Sequence, residues 1–329
     1  MNTLFDNHGR PLNYLRLAVT DRCNLRCFYC MPEEGIHYLP KKELLSFEEI
    51  VRVVSLFAGM GISKIRLTGG EPFVRNDLMK LIRAVAGLPG IKEWHITTNG
   101  ILTAPYIPEL KKLGVSSVNL SLDTLDRDRF RAITRRDEFD ACYATLQELL
   151  DHEIPVKINA VVMEEQNIAD ILPIALLTKD KNVSVRFIEE MPFNGSGAAH
   201  KTWSYKKILE YLTQHFPGLS RLDDPENSTS MNYRIPGHRG SVGIIAAFSR
   251  TFCGTCNRIR LTAQGSLKTC LYDDFVLETK ELIRSGNNDD ELKLDLLRAS
   301  NNRAANGFEA EAKRKSHTRA HESMSTIGG

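Results

Sequence analysis

Short β-type runs alternate with helical runs from residue 14 to about residue 190. The strands predicted by this pattern are Leu15–Thr20, Lys64–Thr68, Glu93–Thr98, Ser117–Leu122, Val156–Val162 and Val183–Glu189. A helical pattern follows each of the first five. Ser46-Phe-Glu-Glu49 opens the first helix with a capping-box pattern, and Asn76 or Asp77 opens the second. Thr103–Lys112, Phe139–Leu150 and Ile168–Leu177 supply the others. Strands and helices in this order predict parallel βα units, hence an α/β fold. Six such units suit a doubly wound sheet or a partial (β/α)6 TIM-like barrel. Either would collect a site at the C-terminal strand ends, where the polar motifs of this chain sit.

Beyond the sixth strand, Met191–Gly197 reads as a closing loop and Ser204–His215 as a further helix. Residues 221–230 form a polar linker, followed by β-rich runs. Residues 287–322 are polar, with Asn-rich and Lys/Arg-rich stretches. A length of 329 residues predicts two domains, or a core with an appendage. Lys+Arg 43 against Asp+Glu 41 leaves +2, which gives no bulk electrostatic case for nucleic acid or membrane as a partner. Apolar runs such as Val242–Phe248 are too short to span a bilayer, and the N-terminus shows no apolar signal segment.

Cysteine placement sharpens the picture. Cys23, Cys27 and Cys30 follow the first strand at spacing C-x3-C-x2-C. Three thiolates from one short loop suit a metal centre, because disulfides would strand one of them. Structural zinc usually takes a fourth protein ligand. A cubane 4Fe–4S cluster takes one thiolate per iron, so three cysteines leave one iron open. A second triplet, Cys253, Cys256 and Cys270, is spaced C-x2-C-x13-C around a predicted hairpin, Asn257–Thr262 with the turn Ala263–Ser266. A second open-iron cluster is the sharper reading; zinc with His238 is the alternative. Metal-bound thiolates fit a reducing compartment. Cys142, alone in a helical pattern, reads as a small core residue.

Other polar residues gather at strand ends. In Thr68-Gly-Gly-Glu-Pro72 two glycines let the backbone approach a ligand closely; alone the run is a turn. Arg258 and Arg260 alternate and so share one strand face. Burying them without an anion would cost several kcal/mol, so they are either exposed or matched to an anion such as a triphosphate. Arg16, Arg66 and Lys157 add cations from the first, second and fifth strands, and Thr97 lies at the end of the third. An edge-strand gatekeeper is the alternative for Lys157.

The C-x3-C-x2-C run, with Tyr29 before its last Cys, resembles the radical S-adenosylmethionine superfamily. That resemblance implies a 4Fe–4S cluster on Cys23, Cys27 and Cys30. In that superfamily the open iron chelates S-adenosylmethionine, and an electron from the cluster breaks the sulfonium bond to give a 5′-deoxyadenosyl radical. It also implies cofactor contacts at Tyr29, Gly70, Ser121 and Met191.

The fuller pattern adds Cys-x2-Cys-Asn-Arg-x-Arg, Cys270 and the terminal Gly328-Gly329. From residue 14 to Cys270, and at the end, it resembles the molybdenum cofactor biosynthesis protein A family, the GTP 3′,8-cyclases. The resemblance implies residues 1–225 as a radical S-adenosylmethionine core. It implies residues 226–329 as a smaller α+β domain carrying a second iron–sulfur cluster on Cys253, Cys256 and Cys270. Arg16, Arg66, Thr97, Lys157, Arg258 and Arg260 would hold GTP, and Gly328 and Gly329 would act in the cyclisation. The resemblance further implies a cytoplasmic enzyme with three partners: a reducing electron donor, the next enzyme of the pathway (cyclic pyranopterin monophosphate synthase) and a second copy in a homodimer. Nothing carries over to residues 275–322. Two other readings stand beside this one: a peptide-modifying radical enzyme, and a non-catalytic zinc or iron–sulfur module.

Overall fold

The computed structural model describes residues 3–191, 203–274, 276–314 and 323–328. The chain packs as two compact units that interleave along the sequence. Residues 1–24, 36–96 and 253–329 form the first, and residues 25–35 and 97–252 the second.

In the first unit, Tyr14–Ala18 pairs in parallel with Lys64–Thr68, and that strand with Glu93–Thr98. Leu15 and Leu17 are fully buried, so Tyr14 and Arg16 turn to the opposite face. The Ser46/Glu49 capping box is present and starts the helix Phe47–Gly59. That helix buries Ile50, Val53, Val54 and Phe57, an apolar stripe at helical spacing. Arg258–Leu261 joins the free side of Tyr14–Ala18 in parallel. Ser266–Lys268 follows it as the expected hairpin, and Leu277–Glu278 continues antiparallel. Residues 287–322, given no element by the sequence pattern, contain the helices Asp289–Ser300 and Gly307–Ala312. The first carries a readable signal: Asn288 and Glu291 form a capping box, with Leu292, Leu296 and Ala299 buried behind it.

In the second unit, Ser117–Ser121, Val156–Val162 and Ser184–Glu189 pair in parallel. Ser241–Ile245 adds a further parallel strand, and Ser230–Arg234 and Ser220–Arg221 close the edge antiparallel. Four of the expected helices are here, as Ile107–Lys112, Phe139–Asp151, Ile171–Asp180 and Tyr205–His215. Residues 168–170 form a 3-10 turn, so the helix expected at Ile168 starts at Ile171. The helix Arg127–Thr134 was not expected, because half of its residues are charged and its apolar stripe is short. Its one local signal is Asp126, whose side chain accepts from Arg129 N at 2.7 Å.

The alternation and the mixed sheets are consistent with the partial barrel expected. The compact units do not divide at residue 225: residues 226–252 extend one unit and residues 253–329 the other. Strand edges explain this, since each late strand satisfies its backbone groups on an edge already present. The 1–225 and 226–329 division stays a reading of roles along the chain. Among the described residues, no helix is long and apolar enough to cross a membrane.

Candidate active site

The first cysteine run crosses the boundary between units, with Cys23 in the first and Cys27, Tyr29 and Cys30 in the second. Cys30 N and Met31 N both donate to Cys27 O, at 2.9 and 3.0 Å, which winds C-x2-C into one turn. The turn is pinned on the unexpected helix: Arg26 N donates to Thr134 O at 2.9 Å and Phe28 N to Ile133 O at 3.2 Å. Arg135, in the left-handed region at φ 56°, reaches back to Arg26 O and Met31 O. Tyr29 Oη donates to Asp123 Oδ2 at 2.8 Å, while Val161 N donates to Asp123 Oδ1 at 2.8 Å. Burial pushes the Asp123 carboxyl up to about 6. Burial, then the Asp123 charge, holds the Tyr29 phenol well above its ordinary value.

In the first unit, the glycine pair packs directly on the root of the cysteine loop. Gly70 N donates to Thr20 O at 2.9 Å and Glu71 N to Arg22 O at 2.8 Å. A Cβ on Gly70 would lie 2.2 Å from Arg22 O, so no larger residue fits without moving backbone. The Gly70 and Glu71 amides are spent on the loop, and the glycine carbonyls are the groups suited to accept from an ammonium.

The same sheet carries a row of cations. Register places Lys268 beside Arg260, Arg260 beside Arg16, Arg16 beside Arg66, and Arg66 beside His95. The neighbouring row on that face is Arg258, Tyr14, Lys64 and Glu93. Arg66 Nε donates to Tyr14 Oη at 2.5 Å, and Arg66 Nη1 to Ile96 O at 3.2 Å. Crowding shows in the proton affinities. Burial and the Arg260 charge bring Arg16 down to about 9, and burial and Arg258 bring Arg260 down to about 10. The Tyr14 phenol falls to about 7 despite burial, because Arg66 and Arg16 stabilise its anion.

The second triplet sits at the base of this row. Cys253–Thr255 forms a 3-10 turn, and Cys256 N donates to Cys253 O at 3.2 Å. Burial alone would raise the Cys256 thiol, but the charges of Arg258 and Arg303 bring it to about 6. Burial, then Asp273, pushes Cys270 up to about 11. His238, the alternative fourth ligand, shares a 2.8 Å hydrogen bond with Thr178 Oγ1 in the second unit. The short helix Met324–Ile327 buries Ile327, and Gly328 follows at φ 75°. Arg260 Nη1 donates to Gly328 O at 2.7 Å. Gly329 lies outside the described residues.

In the second unit, Val156–Val162 buries every second residue, which leaves Lys157 and Asn159 on the other face. Register sets Lys157 beside Asn119, and Asn159 beside both Ser121 and Arg186. Asn119 Oδ1, Asn159 Oδ1 and Thr97 Oγ1 are buried with no hydrogen-bond partner in the protein. Orphaned polar atoms of this kind are what a bound polar molecule would satisfy. Asn119, Asn159 and Arg186 were missed from the sequence; their signal was alternation with buried neighbours. Met191 is half-buried at the end of the described segment, and the loop expected from 192 onward lies outside it.

None of the seven cysteines is in a disulfide. Two triplets of soft donors, one thiol drawn toward thiolate, fit iron–sulfur chemistry. Among the described residues, no three His, Cys, Asp or Glu side chains converge as on a single ion. A cluster does not require that, because it binds each thiolate through a different iron.

Residues 17–177 match the family model of the radical SAM superfamily, and residues 183–308 match that of Molybdenum Cofactor Synthesis C. The molybdenum cofactor biosynthesis protein moc-5 of Caenorhabditis elegans is 41% identical over 303 residues, 92% of this chain and 50% of that protein. The chain spans about half the length of the animal relatives it matches. The GTP 3′,8-cyclase of Moorella thermoacetica is 40% identical over 326 residues, 98% of this chain and 99% of that one. Among solved structures, Streptococcus suis SuiB bound to S-adenosylmethionine superposes with a TM-score of 0.61 at 14% identity, covering 95% of this chain and 70% of that one. That likeness shows the α/β fold of the superfamily. Identity of 40% across nearly the whole of both chains settles the kinship: this chain belongs to the GTP 3′,8-cyclase family of the radical S-adenosylmethionine superfamily.

Proposed function

We propose that this chain catalyses the radical-mediated cyclisation of GTP to (8S)-3′,8-cyclo-7,8-dihydroguanosine 5′-triphosphate, the first step of molybdenum cofactor biosynthesis. The observation that carries this reading is the cross-strand run of Arg260, Arg16 and Arg66. Three guanidiniums side by side on one sheet face repel one another and lose hydration. A polyanion offsets both costs, and each charge-assisted hydrogen bond contributes about 1.5–3 kcal/mol. Arg258, Lys157 and Thr97 would complete the contacts to GTP.

When bound, a 4Fe–4S cluster on Cys23, Cys27 and Cys30 would supply the electron that opens the sulfonium of S-adenosylmethionine, and a second on Cys253, Cys256 and Cys270 would hold the guanine base. Tyr29, Gly70, Ser121 and Met191 would line the S-adenosylmethionine molecule. Gly70 suits this place because it lacks the Cβ that would push the segment off the cysteine loop. Gly328 and Gly329 would bring the chain end to the substrate. The electron donor and hand-off to the next enzyme belong to the same reading.

The test is anaerobic reconstitution, then incubation with GTP, S-adenosylmethionine and reductant. The expected result is 5′-deoxyadenosine together with a cyclised nucleotide of unchanged mass relative to GTP, both lost in Cys27→Ser. Formation of 5′-deoxyadenosine at the same rate without GTP, and with no cyclised nucleotide, would sink the reading.

A further inference from the structure

Arg303 lies outside every motif considered so far, yet it is only 4% exposed. Its guanidinium is spent around the second cysteine triplet. Nε donates to Thr269 O at 3.1 Å, next to Cys270. Nη1 donates to Cys256 O at 3.0 Å and to Asp6 Oδ2 at 2.9 Å. Nη2 donates to Arg258 O at 3.2 Å and to the sulfur of Cys256 at 3.4 Å. Asn7 fixes the backbone there: Arg303 N donates to Asn7 Oδ1 at 2.9 Å, and Asn7 Nδ2 to Arg303 O at 3.0 Å.

Asp6 holds a second arginine in the same way. Arg10 Nε donates to Asp6 Oδ2 at 2.7 Å, and Arg10 Nη1 donates to Cys253 O at 3.1 Å. One fully buried carboxylate thus anchors two arginines, and between them they tie down Cys253, Cys256 and the residue before Cys270. A structural ion pair alone needs no contact with a thiol. A donor aimed at a ligand sulfur does what outer partners of metal sites do: it fixes the ligand and stabilises its charge.

We propose that Arg303, anchored by Asp6, is a positioning residue for the second cluster, setting the three thiolates and making that cluster easier to reduce through its N–H···S bond. The inference rests on the second-cluster reading above. Reduction adds negative charge to a cluster and its ligand sulfurs, so a donor to sulfur favours the reduced state.

The experiment uses the full chain, reconstituted anaerobically, as wild type, Arg303→Lys and Arg303→Gln. Iron per chain, iron loss to a chelator, and an EPR-monitored redox titration are measured, with the first cluster as internal control. In both variants the second cluster should move to a lower potential and lose iron several-fold faster, while the first keeps its potential. Lysine retains the charge but not the fork, so a shift in Arg303→Lys assigns the effect to hydrogen bonding. If either variant misfolds by circular dichroism, Asp6→Asn, which frees the anchor and leaves Arg303 in place, should shift the second cluster in the same direction. Folded variants whose second cluster matches wild type in potential and chelator rate would overturn the proposal. A wild type that holds one cluster only would overturn the two-cluster reading, and this inference with it.

Discussion

Arg260 Nη1 donates to the carbonyl oxygen of Gly328 at 2.7 Å. The tail therefore meets the cation row through its backbone, at a residue with no side chain. Gly328 sits at φ 75°, and a Cβ there would lie 2.7 Å from Thr68 Oγ1 and 3.1 Å from Ala18 Cβ. Glycine is the residue that tolerates both the angle and the approach.

Deleting Gly328 and Gly329 is expected to leave the iron content and S-adenosylmethionine binding intact and to stop cyclised product. Ile327 keeps its burial in such a truncation, so the helix before it should stay docked. Product yield by mass spectrometry beside equilibrium binding makes the check. Near-normal product from the truncated chain would show a frayed end with no part in the reaction.

Arg258→Ala and Arg260→Ala are expected to weaken GTP far more than guanosine. One lost charge-assisted contact costs about 1.5–3 kcal/mol, roughly ten- to hundredfold in affinity. Calorimetric titration of both ligands separates the outcomes. Equal weakening of nucleoside and triphosphate would make the arginines structural.

Gly70→Ala places a methyl group 2.2 Å from Arg22 O. Backbone must move, at a cost on the order of 1–3 kcal/mol. The displaced segment is the one proposed to hold S-adenosylmethionine, so its affinity should fall about tenfold or more. Gly87→Ala is the control: its new methyl meets nothing nearer than 3.6 Å, and affinity should not change. Wild-type affinity in Gly70→Ala would remove this segment from the site.

Asp123 predicts a pH effect. Burial raises its pKa from 3.8 to about 6 in the folded chain, so the native state binds the proton more tightly than the unfolded one. Stability from this group is therefore greatest below about pH 4 and declines as pH rises toward about 6, by roughly 3 kcal/mol at most. Asp123→Asn should flatten that part of the profile, measured by urea denaturation of the cluster-free chain between these pH values. An unchanged slope would mean that the carboxylate is solvated or otherwise compensated.

Local chemistry was legible in the sequence. The six strands of the βα units fall within a residue or two of where alternation put them, because which face of a strand is apolar is a property of neighbouring residues. The capping box at Ser46 and Glu49, the hairpin after Cys256, and the shared face of Arg258 and Arg260 were readable for the same reason. Tertiary structure alone decided what those faces meet. No local rule says that Arg258–Leu261 will pair with Tyr14–Ala18, some 240 residues earlier, and so set Arg260 beside Arg16. Nor does any motif announce Arg303 or Asp6, which act through hydrogen bonds to backbone and sulfur far away in sequence. Strand edges and buried charges take their partners from whatever the fold brings near, and that choice is made in three dimensions.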